Sequence, residues 1–154
     1  MLSVRDYRPG DAEALFVVCQ EAILDGATDY TPAQRSAWAA RFTSAEALAL
    51  KLAMQQVVVG LSGDQPKGLM TLDGGLLDLA YVAPEARGSG LADLMHAVLL
   101  NRATVAGQGD LTVHASHHAR RFLARQGWQA RAEQEVQIGG ETLENCVMEL
   151  RLSA

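Results

Sequence analysis

The stretch that most constrains this chain runs from Asp78 to Leu100, DLAYVAPEARGSGLADLMHAVLL, an apolar strand that passes through a glycine turn into an amphipathic helix. Within it, Arg87-Gly88-Ser89-Gly90-Leu91-Ala92 places two glycines and a serine at the mouth of the helix, leaving several backbone N–H groups clear of side chains. A helix start carries unpaired N–H donors and the positive end of the peptide dipole, and glycine lets an anion approach the backbone closely. The expectation is a pyrophosphate-binding loop. Two common versions of such a loop are excluded by side chains. A nucleoside-triphosphate loop needs Lys and then Ser or Thr after its last glycine, whereas Gly90 is followed by Leu91 and Ala92. A dinucleotide fingerprint needs a third glycine where this chain has Asp93, and a parallel sheet where the preceding strands read as hairpins.

The rest of the chain supplies the frame. Leu2 to Tyr7 reads as a short strand ended by Pro9-Gly10, and Asp11 is placed to cap a helix whose apolar face is Leu15, Val18, Cys19, Ala22 and Ile23. Thr31-Pro32 with Gln34 forms a capping box for a second helix, through about Arg41, anchored by Trp38, which reads either as core or as pocket wall. Thr43 and Glu46 repeat that spacing ahead of a third helix. Val57 to Val59, Gly68 to Leu72 and Gly75 to Val82 read as an antiparallel meander, its turns at Ser62 to Pro66 and Asp73-Gly74. After the glycine turn, Leu91, Leu94, Met95, Val98 and Leu99 form one helical stripe. Leu111 to His114 returns as a strand that can lie parallel to the one before the turn. Ser116 is placed to cap a short helix, Ala119 to Gln126, and a terminal hairpin turns at Gly139-Gly140. The sum is α+β.

A length of 154 residues suits one domain over residues 1–154. The net charge of −5, with only His117 to Arg125 locally basic, argues against a nucleic-acid surface. No signal-like or membrane-spanning stretch is seen, so the expected location is cytoplasmic, with no membrane partner. Cys19 and Cys146 stand alone among apolar neighbours and are expected to be buried free thiols.

With these elements in place, the chain resembles the GNAT superfamily of N-acetyltransferases. Their signature, Gln/Arg-x-x-Gly-x-Gly/Ala after a strand ending in Val-x-Pro, is matched by Ala80-Tyr81-Val82-Ala83-Pro84 and Arg87-Gly88-Ser89-Gly90-Leu91-Ala92. The Val4 to Asp11 opening and the later Ala119, Phe122, Gly127-Trp128 pattern extend the resemblance over nearly the whole chain, and Tyr30 to Trp38 with Val136 to Met148 looks most like small bacterial members. The resemblance implies an acyl-CoA N-acyltransferase-like fold, a mostly antiparallel mixed sheet splayed between the fourth and fifth strands. It also implies acetyl-CoA as co-substrate, no metal, and an amine-bearing acceptor attacked directly. By the same resemblance Arg87 to Ala92 hold the pyrophosphate, Tyr81 and Val82 pair with the pantetheine arm, Phe122 and Ser116 lie against the coenzyme, and the Val82 N–H stabilises the oxyanion. A homodimer is compatible with such domains.

Catalytic side chains are harder to assign. The tyrosine acid of many family members is absent, because the corresponding pair reads Phe122-Leu123. Ser116 stands where many members have asparagine, and either orients the coenzyme sulfur or simply caps its helix. On strand alternation Asp78 shares a face with Ala80 and Val82 and opposes Tyr81, which makes it a candidate base acting through water. Its alternative role is an ion pair with an arginine or exposure at the sheet edge. His114, His117 and His118 do not form a metal set, since adjacent helix residues diverge; His117 or His118 is nearest the expected cleft. Arg120, Arg121 and Arg125 form a basic patch that either meets the adenosine 3′-phosphate or is a solvated face. Because no acid or clear base stands out, a non-catalytic acyl-CoA-binding sensor or interaction protein is the alternative function.

Overall fold

The computed structural model describes residues 1–152. In chain order the elements are β1 (Leu2–Asp6), α1 (Ala12–Leu24), α2 (Pro32–Ala39), α3 (Ala45–Leu52), β2 (Gln56–Ser62), β3 (Gln65–Asp73), β4 (Leu76–Val82), α4 (Leu91–Val105), β5 (Asp110–Ala115), α5 (His117–Arg125), β6 (Gln129–Ile138) and β7 (Glu141–Arg151). The strands form one sheet in the order β1-β2-β3-β4-β5-β7-β6. Every neighbouring pair is antiparallel except β4 and β5, which run parallel and pair only at Leu76–Thr112 and Leu77–Val113. Past that point the two strands separate, as the fold class predicts.

Apolar side chains cover both faces of the sheet. On one face Leu91, Met95 and Leu99 of α4 and Leu123 of α5 pack with Met70, Leu77, Leu111 and Trp128. Helix α4 sits close because Gly60 and Gly68 leave room: a Cβ on either would lie 2.8 Å from Met95 Sδ or 2.7 Å from Met95 Cε, respectively. On the other face Leu15, Val18 and Cys19 of α1 and Leu48 and Leu52 of α3 pack on Val57, Val59, Leu69 and Leu79. Both cysteines are buried thiols, and burial pushes the Cys19 thiol up to about 12.

Local signals fixed most element starts. Thr31 and Gln34 form the reciprocal capping box, with Thr31 Oγ1 accepting from the Gln34 N–H at 3.1 Å and Gln34 Oε1 from the Thr31 N–H at 2.9 Å. Three expectations need correction. Helix α3 is capped by Ser44, whose Oγ accepts from the Ala47 N–H at 3.0 Å, because Ser44 is as good a cap as Thr43 and sits one residue nearer the helix. Asp11 holds the N-cap position of α1, but its side chain makes no cap hydrogen bond there; it closes a 3-10 turn at Pro9–Asp11 by accepting from the Arg8 N–H and takes two hydrogen bonds from the Arg5 guanidinium at 2.8 and 2.9 Å. The third correction concerns β4.

Strand β4 contains a bulge. Met70 faces Ala80 and Leu72 faces Leu77, so Thr71 stands opposite both Asp78 and Leu79. The fully buried Thr71 accepts from the Leu79 N–H through Oγ1 at 3.0 Å, supplying the partner that the broken ladder removes. The extra residue inverts the alternation: Leu77, Ala80 and Val82 pack toward α4, while Leu79 and Tyr81 pack toward α1 and α3. Asp78 therefore does not share a face with Ala80 and Val82. It turns toward α3, on the side of Tyr81.

Candidate functional site

Beyond Leu77 the edge of β4 that faces β5 is open. The Ala83 N–H donates to the Lys67 carbonyl of β3 at 2.8 Å. Successive N–H groups along a strand point to opposite edges, so the Val82 N–H points into the gap between β4 and β5.

The glycine turn closes one end of this gap. Gly88 and Gly90 adopt φ values of +76° and +94°, a left-handed geometry that costs any other residue strain, and a Cβ on either would meet nothing within 4 Å. Their surroundings are open space. Within the turn the odd-numbered N–H groups are used internally: Arg87 donates to Pro84 O at 3.2 Å, Ser89 to Ala86 O at 3.3 Å, and Leu91 to Ser89 Oγ at 3.3 Å. Among the described residues the N–H groups of Gly88, Gly90, Ala92 and Asp93 have no protein acceptor. The expected run of six donors is thus an alternating set, with Ser89 as the brace; its hydroxyl donates to Ala86 O at 2.5 Å. The Arg87 guanidinium donates to Gly26 O at the end of α1 at 2.7 Å, which Gly26 permits by having no side chain in the way. Its Nε is buried without a partner, and burial lowers the guanidinium pKa from its ordinary value.

A cavity of about 460 Å³ follows the gap, and Tyr81, Val82, Arg87 to Ala92, Ser116 and Phe122 all line it. Every residue that the resemblance assigned to the coenzyme is therefore gathered there. Asp78 is not. It lines a second cavity of about 760 Å³ on the other side of β4, walled by α2, α3, the loop between them and the β6–β7 hairpin. Trp38, Tyr81 and Ser116 line both cavities, so they mark the boundary between them. Trp38 is half-buried wall rather than core, and its Nε1 donates to the Tyr81 hydroxyl at 3.2 Å. Burial pushes the Tyr81 phenol well above its ordinary range, which keeps it protonated at neutral pH.

In the second cavity the Asp78 carboxylate pairs with Lys51 Nζ at 3.0 Å and accepts from Gln55 Nε2 at 2.8 Å. The partner is a lysine of α3 rather than an arginine. Ser116 caps α5, accepting from the Ala119 N–H at 3.3 Å, while still reaching both cavities. The histidines diverge. His114 faces Gln134 at 3.3 Å; His117 stacks on Tyr30 with centroids 4.8 Å apart; His118 lines the first cavity, where burial and then Arg87 and Arg121 lower its pKa. The basic patch is divided: Arg121 pairs with Asp29 and Arg120 with Glu133, leaving Arg125 at the first cavity.

Sequence reasoning missed several groups. Lys51 and Gln55 gave no signal as partners of Asp78, and the Thr71 bulge had none beyond a polar residue inside an apolar strand. Tyr30 is also more constrained than its sequence suggests: its hydroxyl donates to Glu144 O at 2.6 Å and accepts from the His117 N–H at 3.2 Å, tying the α1–α2 connection to β7 and to the start of α5. His96, buried in α4, accepts from Trp128 Nε1 at 3.0 Å, and burial lowers its pKa.

The family model described as the acetyltransferase (GNAT) domain matches residues 26–150. The chain belongs to the GNAT acetyltransferase family. Among curated proteins, the uncharacterized N-acetyltransferase YafP of Escherichia coli (strain K12) is 30% identical over 152 residues, 96% of this chain and 94% of that one. A GCN5-related N-acetyltransferase structure from Rhodopseudomonas palustris is 31% identical with a TM-score of 0.87, covering 97% of this chain and 94% of that chain. The PaiA N-acetyltransferase from Thermoplasma acidophilum, solved in complex with coenzyme A, shares the GNAT fold at 13% identity, with a TM-score of 0.79 and coverage of 98% and 99%. The splayed β4–β5 pair and the N–H cradle are thus parts of a GNAT N-acetyltransferase. In the described residues no helix is long and apolar enough to cross a membrane.

Proposed function

We propose that this chain transfers the acetyl group of acetyl-CoA to a primary amine by direct attack, with the donor in the 460 Å³ cavity and the acceptor in the 760 Å³ cavity. The observation that carries this is the shared boundary of Trp38, Tyr81 and Ser116, which puts two cavities of different chemistry at one gap in the sheet. The donor cavity fits the coenzyme on this structure's own terms. Its unpaired N–H groups at Gly88, Gly90 and Ala92 are the donors a pyrophosphate needs, and the space above both glycines is open.

The thioester supplies an activated acyl group, so an oriented, deprotonated amine needs no acyl-enzyme. The Val82 N–H, facing the gap, donates to the thioester carbonyl and offsets the charge that develops there. Asp78 receives the amine proton through water, because it stands four positions before Val82 along the strand, about 13 Å at ~3.3 Å per residue. The Ser116 hydroxyl orients the coenzyme sulfur, while Phe122 packs beside it with no proton to give. Arg125 and His118 at the cavity margin suit the adenosine 3′-phosphate.

Calorimetric titration with acetyl-CoA, followed by thiol release across an amine panel, tests this. Binding with thiol release supports the transferase. Binding without release from any amine favours the acyl-CoA sensor, a reading supported by Phe122 in place of a hydroxyl acid. No binding at millimolar coenzyme would sink both.

A further inference from the structure

The donor cavity takes its charge from backbone N–H groups, whereas the acceptor cavity carries an uneven set of side-chain charges. Two cations line the latter, Arg41 and Lys51. Lys51 is neutralised by Asp78 at 3.0 Å. Arg41, in the loop between α2 and α3, is exposed and has no carboxylate within ion-pair distance among the described residues. It stands beside aromatic wall, since Phe42 packs edge-on against Tyr81 with centroids 5.8 Å apart and Trp38 lies 6.2 Å from the same ring. Its charge also bears on the Tyr81 hydroxyl, placing it within electrostatic reach of the boundary between the cavities.

The opposite wall, on β7, has the reverse polarity. Asn145 Oδ1 is buried and receives no hydrogen bond, an arrangement that is unfavourable until a donor arrives. Asn145 follows Glu144, whose carbonyl is held by the Tyr30 hydroxyl, and that hydroxyl also takes the N–H of His117, next to Ser116. The unpartnered acceptor therefore sits at the Ser116 end of the cavity, where the amine must present itself. Arg41 reaches the cavity from the α2–α3 side. A polycationic acceptor would need several free carboxylates, but Asp78 already holds Lys51 and Gln55, which leaves only Glu144.

Resting on the transferase reading above, we propose that the acceptor is a small amine that also carries a carboxylate, an α-amino acid with an apolar or aromatic side chain. Arg41 takes the carboxylate as a charge-assisted pair, the Trp38, Phe42 and Tyr81 rings take the side chain, and Asn145 Oδ1 takes an N–H of the attacking amine. Amide formation then joins the amine nitrogen to the acetyl carbon, the carbon–sulfur bond breaks, the amine proton leaves through water toward Asp78, and the coenzyme departs as thiolate.

The test compares thiol release with L-phenylalanine, L-methionine, 2-phenylethylamine, spermidine and a lysine-containing peptide, alongside calorimetry of coenzyme A binding. The expected result is a kcat/KM for phenylalanine at least about tenfold above that for 2-phenylethylamine, which lacks only the carboxylate. Arg41→Gln should collapse that ratio to below about threefold, mainly by raising KM for the amino acid, and Arg41→Lys should restore part of it. Asn145→Leu should lower turnover of the amino acid with coenzyme affinity unchanged. A ratio near one in the wild type, spermidine or the peptide as the best acceptor, or an unchanged ratio in Arg41→Gln would overturn this assignment and leave the transferase intact. Coenzyme binding with no turnover of any amine would overturn it together with the transferase reading, and loss of coenzyme binding itself would mark failure at the donor site.

Discussion

The cavities proposed for donor and acceptor are built from different material. The first is lined by a continuous segment, β4 through the first turn of α4, closed by Trp38 and α5, and its proposed working groups are backbone N–H donors whose direction follows from two left-handed glycines and a strand edge. The second draws on α2, α3, β4, β5, β6 and β7, and its working groups are side chains such as Asp78, Arg41 and Asn145. Backbone recognition depends on conformation and tolerates sequence change. Side-chain recognition depends on which residues the fold brings together, and a single substitution can redirect it.

The sharpest way to break this contrast is to remove the carboxylate of the acceptor side alone. Asp78→Asn keeps the hydrogen-bonding shape but not the proton acceptor, so kcat is expected to fall about a hundredfold while coenzyme affinity is unchanged. Equal rates in steady-state assays would take Asp78 out of proton transfer and leave it as the partner of Lys51. Next in size is the bulge that separates the two faces of β4. Thr71→Val removes the acceptor for the buried Leu79 N–H and should destabilise the protein by about 2 kcal/mol in denaturant unfolding. A change below ~0.5 kcal/mol would mean that the bulge satisfies itself in some other way.

A smaller effect is expected at the cradle. Gly90→Val puts a side chain into the open space above the turn and strains a φ of +94°, so coenzyme affinity should fall at least about tenfold with the circular dichroism spectrum unchanged. Unchanged affinity would falsify the alternating cradle. The smallest effect lies beneath the donor site. Burial lowers the His96 pKa, and so the unfolded chain binds a proton more readily than the folded one. Stability should then be fully present above the unfolded histidine value and decline as pH falls through about 6.5, by less than ~1 kcal/mol between pH 7 and pH 6. His96→Gln should flatten that share of the slope, leaving the part due to His118.

Much of the fold could be read locally. The Thr31–Gln34 capping box, the meander turns, the helix after the glycine turn and the parallel return of β5 depend on neighbours within a few residues. Where two adjacent residues could play the same part, as with Thr43 and Ser44, local propensity was degenerate and the helix chose the nearer one. Strand alternation misplaced Asp78 because a bulge is a property of the pair of strands, and β4 by itself carries no mark of the extra residue. For Trp38 the sequence leaves core and pocket wall both open, and only the packing of α2 beside Tyr81 shows it as the wall between two cavities.

The sequence by itself determined the N–H cradle of the cavity proposed for the donor, because glycine spacing sets φ, φ sets where N–H groups point, and a helix start leaves donors unpaired within a span of six residues. Tertiary structure alone decided the side chains of the cavity proposed for the acceptor. Asp78 meets Lys51 and Gln55, Tyr30 meets Glu144 and His117, and Arg41 is left without a partner only once the sheet has closed, since these contacts join residues 23 to 114 positions apart and no local preference encodes them.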